Sequence, residues 1–432
     1  MLRWFECENC YSFARKAVIE MKAREPIEAD DTSLDGFVVN IASERILRVA
    51  SIYGANASGK SNFIRAISEM LWNICDKNFS LRGHSFFLND EYTNKPMVHK
   101  MSVVLPSPSA ESGFSEYIYG YELVEKKDGE ITVEKEYLLT QKLGSCESPT
   151  ILFTRVENEL KFGDSWGKYK AIADDWYAKV NDGVYGNTLF LRLIGTDDIK
   201  LIPECISVFY KWCRLSMPPQ ELLGHKMRDK LEEVARLAAR NDEFKEKLEY
   251  FITKFDTGIS KISVVTRAFS EPILMIHRKK TVSGHDSGSS SDHPIPIDQE
   301  SHGTRKIIIL YLYCARSWDN GGLLVADELD TGLHPYALRK IVERFREDKS
   351  ATKNCISPPQ LIFSSHNLVA LNRHDMHMDG IYFIEKDKHG MSEINRLSKE
   401  SMRPSEIEAD VEYGKVYLNG RFNALASEFS GF

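Results

Sequence analysis

No stretch of the 432 residues approaches the roughly 18 consecutive apolar residues of a membrane-spanning helix, and no secretory leader opens the chain. Eight cysteines are scattered without the spacing of a disulfide framework, so the expected setting is a reducing cytoplasm. Cys7 and Cys10 form a lone C-x-x-C. Zinc needs two more ligands, and no second pair or nearby Cys/His couple supplies them, so the two are read as small residues near a strand end. Positive charge is not in excess either. A net charge of −7 means the whole chain is no polycation made for nucleic acid, although a local basic groove stays open. Sustained heptads are missing, which excludes a long coiled-coil arm. With 42% hydrophobic and 28% charged residues, the chain is globular and long enough for two or three structural units.

What the chain does have is Gly54-Ala55-Asn56-Ala57-Ser58-Gly59-Lys60-Ser61, a G-x-x-x-x-G-K-S phosphate-binding loop in the context its mechanism requires. The apolar run from Ile46 to Tyr53 predicts one buried strand before it. Phe63, Ile64, Ile67 and Leu71 recur at helical spacing after it. Glycines let the backbone fold around an anion while the loop amides and the helix N-terminus point at it. Lys60 then reaches the β- and γ-phosphates of ATP, and the Ser61 hydroxyl reaches Mg²⁺.

The remainder divides by composition. Leu2 to Phe13 and Ala17 to Met21 read as a strand hairpin beside the nucleotide site. Four antiparallel strands are expected over Met97–Leu105, Tyr117–Val124, Ile131–Leu139 and Ile151–Glu157. Residues 197–257 switch to helix, with Leu231, Val234, Leu237, Leu248 and Phe251 as the buried stripe. Its charges, Lys226, Arg228, Asp229, Lys230, Glu232 and Glu233, suit either a docking face or a solvated lid. A Ser/Gly-rich stretch between Thr281 and Asp292, with His285 inside it and His293 after it, reads as a flexible loop. From about residue 300 to 387, helix and strand alternate as in the second half of an α/β sheet. The expected organisation is an N-terminal half over 1–85, a β-rich insertion over 86–196, a helical insertion over 197–260, and a C-terminal half over 261–432.

Partners for the phosphate loop lie downstream. The strand Gly322 to Ala326 ends in Asp327-Glu328, placing Asp327 to hold Mg²⁺ and Glu328 to activate the attacking water. Before it, Glu300-Ser301-His302-Gly303-Thr304-Arg305 opens a helix, a second anion site built from a hydroxyl, free amides and a positive helix end. Leu329-Asp330-Thr331-Gly332-Leu333-His334-Pro335 follows Glu328, and the strand Gln360 to Ser365 ends at His366-Asn367. This order resembles that of ABC-type ATPases. The resemblance implies that Ser301 and Gly303 face a γ-phosphate held by another subunit, that Asp330 lies in the D-loop, and that His366 is the switch histidine.

More specifically, the chain resembles the OLD-like AAA/ABC-type ATPases. Phe5 to Phe13, Phe86-Phe87-Leu88-Asn89, Tyr119-Gly120-Tyr121, Leu189-Phe190-Leu191 and Tyr417-Leu418-Asn419-Gly420-Arg421-Phe422 join the motifs above, so the match spans nearly the whole chain. The family implies an α/β fold. The implied form of that fold is an ABC-type P-loop ATPase head, a mixed sheet with flanking helices, carrying an antiparallel β insertion and a helical insertion. It also implies ATP with Mg²⁺, a homodimer or higher homo-oligomer, and a role in anti-phage defence beside a separate effector nuclease or toxin. A duplex-DNA-handling repair ATPase is the alternative, and a transporter ATPase with a membrane partner is weaker. Two departures stand out. Where such heads carry a Mg²⁺-ligating glutamine, this chain has Asn89-Asp90, and Asn89 is the candidate in its place. After His366 only 432 − 366 = 66 residues remain, and Glu385 and Asp387 lack further carboxylates, so no nuclease module is expected in this sequence.

Overall fold

Val49–Tyr53 is buried at every position and rich in β-favouring Val, Ile and Tyr, and it forms the middle strand, β5, of a five-stranded sheet. The structure is a computed structural model. It describes all residues except 25–35, 77–79, 109–112, 184, 197–200, 217–226, 257, 267–269, 280–292, 347–354, 369–370, 373, 398–412 and 419–432. Lys226, His285 and the terminal stretch Asn419 to Phe422 therefore lie outside the described residues. Contacts group the chain into two compact units. The first comprises residues 1–218, 317–329 and 339–432; the second comprises 219–316 and 330–338.

In the first unit the five strands run β14 (Gly322–Ala326), β15 (Pro359–Ser364), β5, β16 (Ile381–Lys386) and β17 (Ser392–Arg396). The first four are mutually parallel and β17 pairs antiparallel at the edge. The C-terminal ends of β14, β15 and β5 thus share one rim, where parallel sheets hold ligands. The single strand expected over Ile46 to Tyr53 is instead two. At Arg48 the backbone N–H donates to Phe37 and the carbonyl accepts from Leu361. The chain therefore leaves the two-stranded pairing of β3 (Val38–Ile41) with β4 (Glu44–Leu47) and enters the parallel sheet.

A seven-stranded antiparallel sheet lies in the same unit, in the order β10 (Glu159–Phe162), β9 (Thr150–Val156), β8 (Ile131–Lys142), β7 (Phe114–Glu125), β6 (Met97–Pro106), β1 (Leu2–Glu8) and β2 (Ala17–Glu20). The four expected strands and the N-terminal hairpin are all present, and pairing of β6 with β1 makes them one sheet. Strand β10 was not foreseen. Helix α1 (Lys60–Cys75) packs against both sheets, its buried stripe including Phe63, Ile64, Ile67 and Leu71. The Phe63 ring lies 5.7 Å from Phe5 and 5.3 Å from Phe13. The buried Gln360 amide stitches the sheets together, accepting from Leu2 N–H at 2.5 Å and donating to the carbonyls of Leu2 and Leu47 at 3.0 and 2.9 Å.

Buried Glu136 on β8 accepts the N–H groups of Phe190 and Leu191 at 2.6 and 2.9 Å, and the Tyr119 hydroxyl at 2.9 Å. That anchoring explains why the Leu189-Phe190-Leu191 stretch is held in place: an anion caps the free amides of the short helix Phe190–Thr196.

After α1 the first unit carries the helices α2 (Asp90–Thr93), α3 (Lys170–Asn181), α4 (Phe190–Thr196) and α5 (Glu204–Ser216). The second unit holds α6 (Met227–Arg240), α7 (Asp242–Phe255) and a three-stranded antiparallel sheet of β11 (Ile259–Val265), β12 (Ile273–Arg278) and β13 (His293–Pro296). That sheet was not expected. The helical stripe also needs correction. Asn241 ends one helix and caps the next, its side chain accepting from Phe244 N–H, and the break resets the helical phase. Leu231, Val234 and Leu248 are buried as expected, but Leu237 is exposed and Ile252 takes the inner position. Phe251 is half-buried against Phe255 and Tyr311. Arg228 and Lys230 pair along α6 with Glu232 and Glu233. Among the described residues no helix is long and apolar enough to cross a membrane.

Candidate nucleotide site

The loop after β5 opens into α1 without the usual cap. Gly59 is the N-cap with φ +116°, no side chain caps the helix, and no acidic residue lies in its first turn. The positive end is left for an anion. A side chain at Gly59 would place its Cβ 2.4 Å from Ser392 Oγ, and one at Gly54 would place it 2.4 Å from the Ile384 carbonyl. Both positions need glycine, for the close approach and, at Gly59, for the left-handed backbone. Ala57 also holds a positive φ, 62°.

Lys60 is 5% exposed, and its ammonium donates to the carbonyls of Gly54 and Ala55, each at 2.8 Å. The charge is therefore already inside the loop where a phosphate would sit. The Ser58 hydroxyl is buried with no hydrogen-bond partner among the described residues. An uncapped helix end, an enclosed ammonium and an orphaned hydroxyl fit a bound phosphate chain. Ala55 and Asn56 form the exposed front of the loop, and Ser61 begins the helix behind it.

On the same rim, β14 ends at Asp327 and Glu328. Ser364, at the end of β15, donates its hydroxyl to Asp327 Oδ1 at 2.5 Å and accepts from Glu328 N–H at 2.7 Å. This bond holds Glu328 in a left-handed backbone, φ 46°, unusual for a residue with a side chain. His366 Nε2 lies 3.9 Å from Glu328 Oε1, and both side chains are partly open to solvent. The structure thus brings Asp327, Glu328 and His366 together, with Ser61 on the same edge of the sheet. Ser61 and Asp327 are the groups that would hold Mg²⁺, which would supply positive charge against the charge developing on a phosphate chain. A carboxylate and an imidazole at this rim have the chemistry to take a proton from a water and to donate a hydrogen bond to an anion.

Ser301, Gly303 and Asp330 belong to the second unit. Ser301 caps α8 (His302–Asn320), its hydroxyl accepting from Thr304 N–H at 3.1 Å. Preceding it, the buried Glu300 carboxylate takes two bonds from Arg278, at 2.9 and 2.6 Å. Asp330 opens a turn closed by Leu333 N–H, and Lys306 Nζ donates to Thr331 O at 2.5 Å. Helix start and turn are therefore joined within this unit.

Asn89 caps the short helix Asp90–Thr93, its side chain accepting from Glu91 N–H at 2.9 Å in an exposed position. Asp387 is engaged in the β16–β17 turn, accepting from the N–H groups of His389 and Met391. Glu385 faces Glu393 across that hairpin; burial first and Glu393 second raise its carboxyl above the usual range. Among the described residues no cluster of three or more His, Cys, Asp or Glu could hold a metal ion. Sequence reasoning gave no role to Ser364 or Ser12, although both lay in quoted strands, and did not single out Ser392 at all.

No curated protein matches the chain. Similar solved structures include the SMC head domain from Thermotoga maritima, at 15% identity and TM-score 0.39, covering 92% of this chain and 99% of that one. An Smc head with an extended coiled coil bound to the C-terminal domain of ScpA, from Pyrococcus furiosus, gives 14% and 0.40, covering 93% and 97%. An Smc head with a coiled coil and joint from Pyrococcus yayanosii gives 11% and 0.42, covering 92% and 97%. The family described as "AAA domain, putative AbiEii toxin, Type IV TA system" matches residues 49–372, from the phosphate-loop strand to beyond His366, and the chain belongs to that family.

Proposed function

We propose that the chain binds and hydrolyses ATP as an ABC-type ATPase of OLD-like kind, in composite sites shared head-to-tail between subunits, and that it controls a separate effector nuclease or toxin in anti-phage defence. The observation that carries this reading is the division of parts. Lys60, Asp327, Glu328 and His366 gather on one sheet rim in the first unit, whereas Ser301, Gly303 and Asp330 are built around a helix end in the second. A rim supplying Mg²⁺ ligands, base and lysine still lacks donors for the far side of the γ-phosphate, and a capped helix start with a D-loop turn supplies that chemistry. The family description, with its toxin and type IV system, supports the regulatory role. Nuclease chemistry is assigned to the partner protein, and Asn89 is assigned as the Mg²⁺-side amide of the loop.

Complementation tests the composite site. Lys60→Ala and Ser301→Arg chains should each be inactive, and mixing them should restore partial turnover because one of the mixed interfaces carries an intact loop and an intact helix end. Full activity from a strictly monomeric preparation would overturn the reading. Stimulation of turnover by duplex DNA, lost steeply with added salt, would instead favour DNA handling.

A further inference from the structure

The phosphate loop is held from outside by two serines that lie 380 positions apart. Ser12 follows β1, in a turn where Asn9 and Tyr11 both hold positive φ, at 52° and 53°. Ser392 opens β17, just after the turn that Asp387 closes. Both are buried, at 7% and 3% exposure. Ser392 N–H donates to the Ser12 carbonyl at 2.7 Å, locking the turn to the strand.

Their hydroxyls make a chain whose direction follows from counting protons. Ser392 Oγ lies 2.6 Å from the Ser58 carbonyl, which can only accept, so its single proton goes there. Ser12 Oγ, 2.8 Å away, must then donate to Ser392 Oγ, and Asn62 Nδ2 donates to Ser12 Oγ at 2.9 Å. The chain therefore runs from Asn62, on the first turn of α1, back to Ser58 within the loop.

In a planar trans peptide the carbonyl and the following N–H point in opposite directions. Fixing the Ser58 carbonyl outward onto Ser392 turns the Gly59 N–H inward. That N–H is one of the donors a phosphate loop depends on. Gly59 rests directly on the two hydroxyls, since a Cβ there would lie 2.4 Å from one and 2.8 Å from the other.

We infer that Ser12 and Ser392 are positioning residues that preset the Ser58–Gly59 peptide for phosphate binding. They act on nucleotide affinity and not on the hydrolytic step. The inference rests on nucleotide binding at the Lys60 loop and is independent of composite sites.

The test uses the full chain. Affinity for MgADP is measured by calorimetric titration, KM and kcat for MgATP by turnover, and melting without nucleotide by calorimetry. Ser392→Ala and Ser12→Ala should each weaken MgADP binding and raise KM about tenfold, the factor set by one lost bond to a buried carbonyl, with kcat within about twofold. The double variant should be little weaker than either single one, because the hydroxyls act as one chain. Ser392→Thr keeps the donor and should restore affinity. Ser317→Ala is the control: it removes a buried hydroxyl bonded to the Gly322 carbonyl, and should lower the melting temperature comparably while leaving MgADP affinity unchanged.

Wild-type affinity in both Ser12→Ala and Ser392→Ala would overturn the inference, and so would an equal loss in Ser317→Ala. If the unmodified chain fails to bind MgADP, the nucleotide-site reading itself fails, and the first titration shows that before any variant is made.

Discussion

Glu328 combines a strained backbone with a side chain facing His366, and the two belong together. The left-handed conformation costs a residue with a Cβ about 1–2 kcal/mol, and the Ser364 bond to its N–H is what sustains it. The return on that strain is the direction of the carboxylate, away from the sheet and toward the rim. Glu328→Gln keeps the shape and removes the base. It should bind MgATP with unchanged affinity while turnover falls by about 10²–10⁴-fold, as general-base losses do. An equal fall in affinity, measured by titration, would make Glu328 a structural residue. Asp327→Ala should behave oppositely, weakening binding only when Mg²⁺ is present.

At the scale of elements, β12 acts as the support for α8. Arg278 spans from β12 to the almost fully buried Glu300 and to Asp256, and Glu300 directly precedes the Ser301 cap. Removing Arg278 leaves a buried carboxylate unpaired beside the helix start. Arg278→Ala should therefore reduce turnover by about 10²-fold, the scale of a small displacement of a catalytic group. Nucleotide affinity of the Lys60 loop should stay unchanged by titration, and wild-type turnover would separate Arg278 from the site. None of this support was legible beforehand, because β11 and β12 are short strands flanking residues of irregular composition and β13 is two prolines in four residues. The phosphate loop and the Asp327-Glu328 turn were legible because their chemistry is written in adjacent residues. The buried stripe of 231–251 was legible at Leu231, Val234 and Leu248 but not at Leu237, which is exposed, or at Phe251, which is half-buried, because Asn241 starts a new helix and no single helical phase describes both. Ser12 and Ser392 each look ordinary in sequence, and only the meeting of two distant turns gives them a role.

Stability of the whole chain should carry an acid limit set by its interior. His99 on β6 is fully buried, stacked on Tyr121 at 5.0 Å with Cys10 Sγ 3.4 Å from its Nε2, and burial pushes its pKa down to about 3. An unfolded histidine takes up a proton near pH 6.5, so the unfolded chain binds one more proton than the folded chain between about pH 6.5 and 3. Stability is unaffected above that window and falls on acidification through it, by up to about 1.4 kcal/mol per pH unit. Denaturant titrations at pH 7 and pH 5 should show His99→Gln losing less stability than the parent on acidification, by about 2 kcal/mol; parallel losses would place the acid sensitivity elsewhere.

The strand order carries one further consequence, for the chain as it is made. Strand β5 is flanked in the sheet by β15 and β16, so neither neighbour exists until residues 359–386 have been synthesised. At 5–20 residues per second that is roughly 15–60 s during which the phosphate-loop strand waits without a partner. Gln360 adds a late tie to Leu2 of the first strand, whose pairing with β2 and β6 is available much earlier. The ATPase rim is therefore a late, all-or-nothing product of translation. A ribosome that stalls before β15 releases a chain that has every strand of the seven-stranded sheet but a phosphate-loop strand with neither of its sheet neighbours.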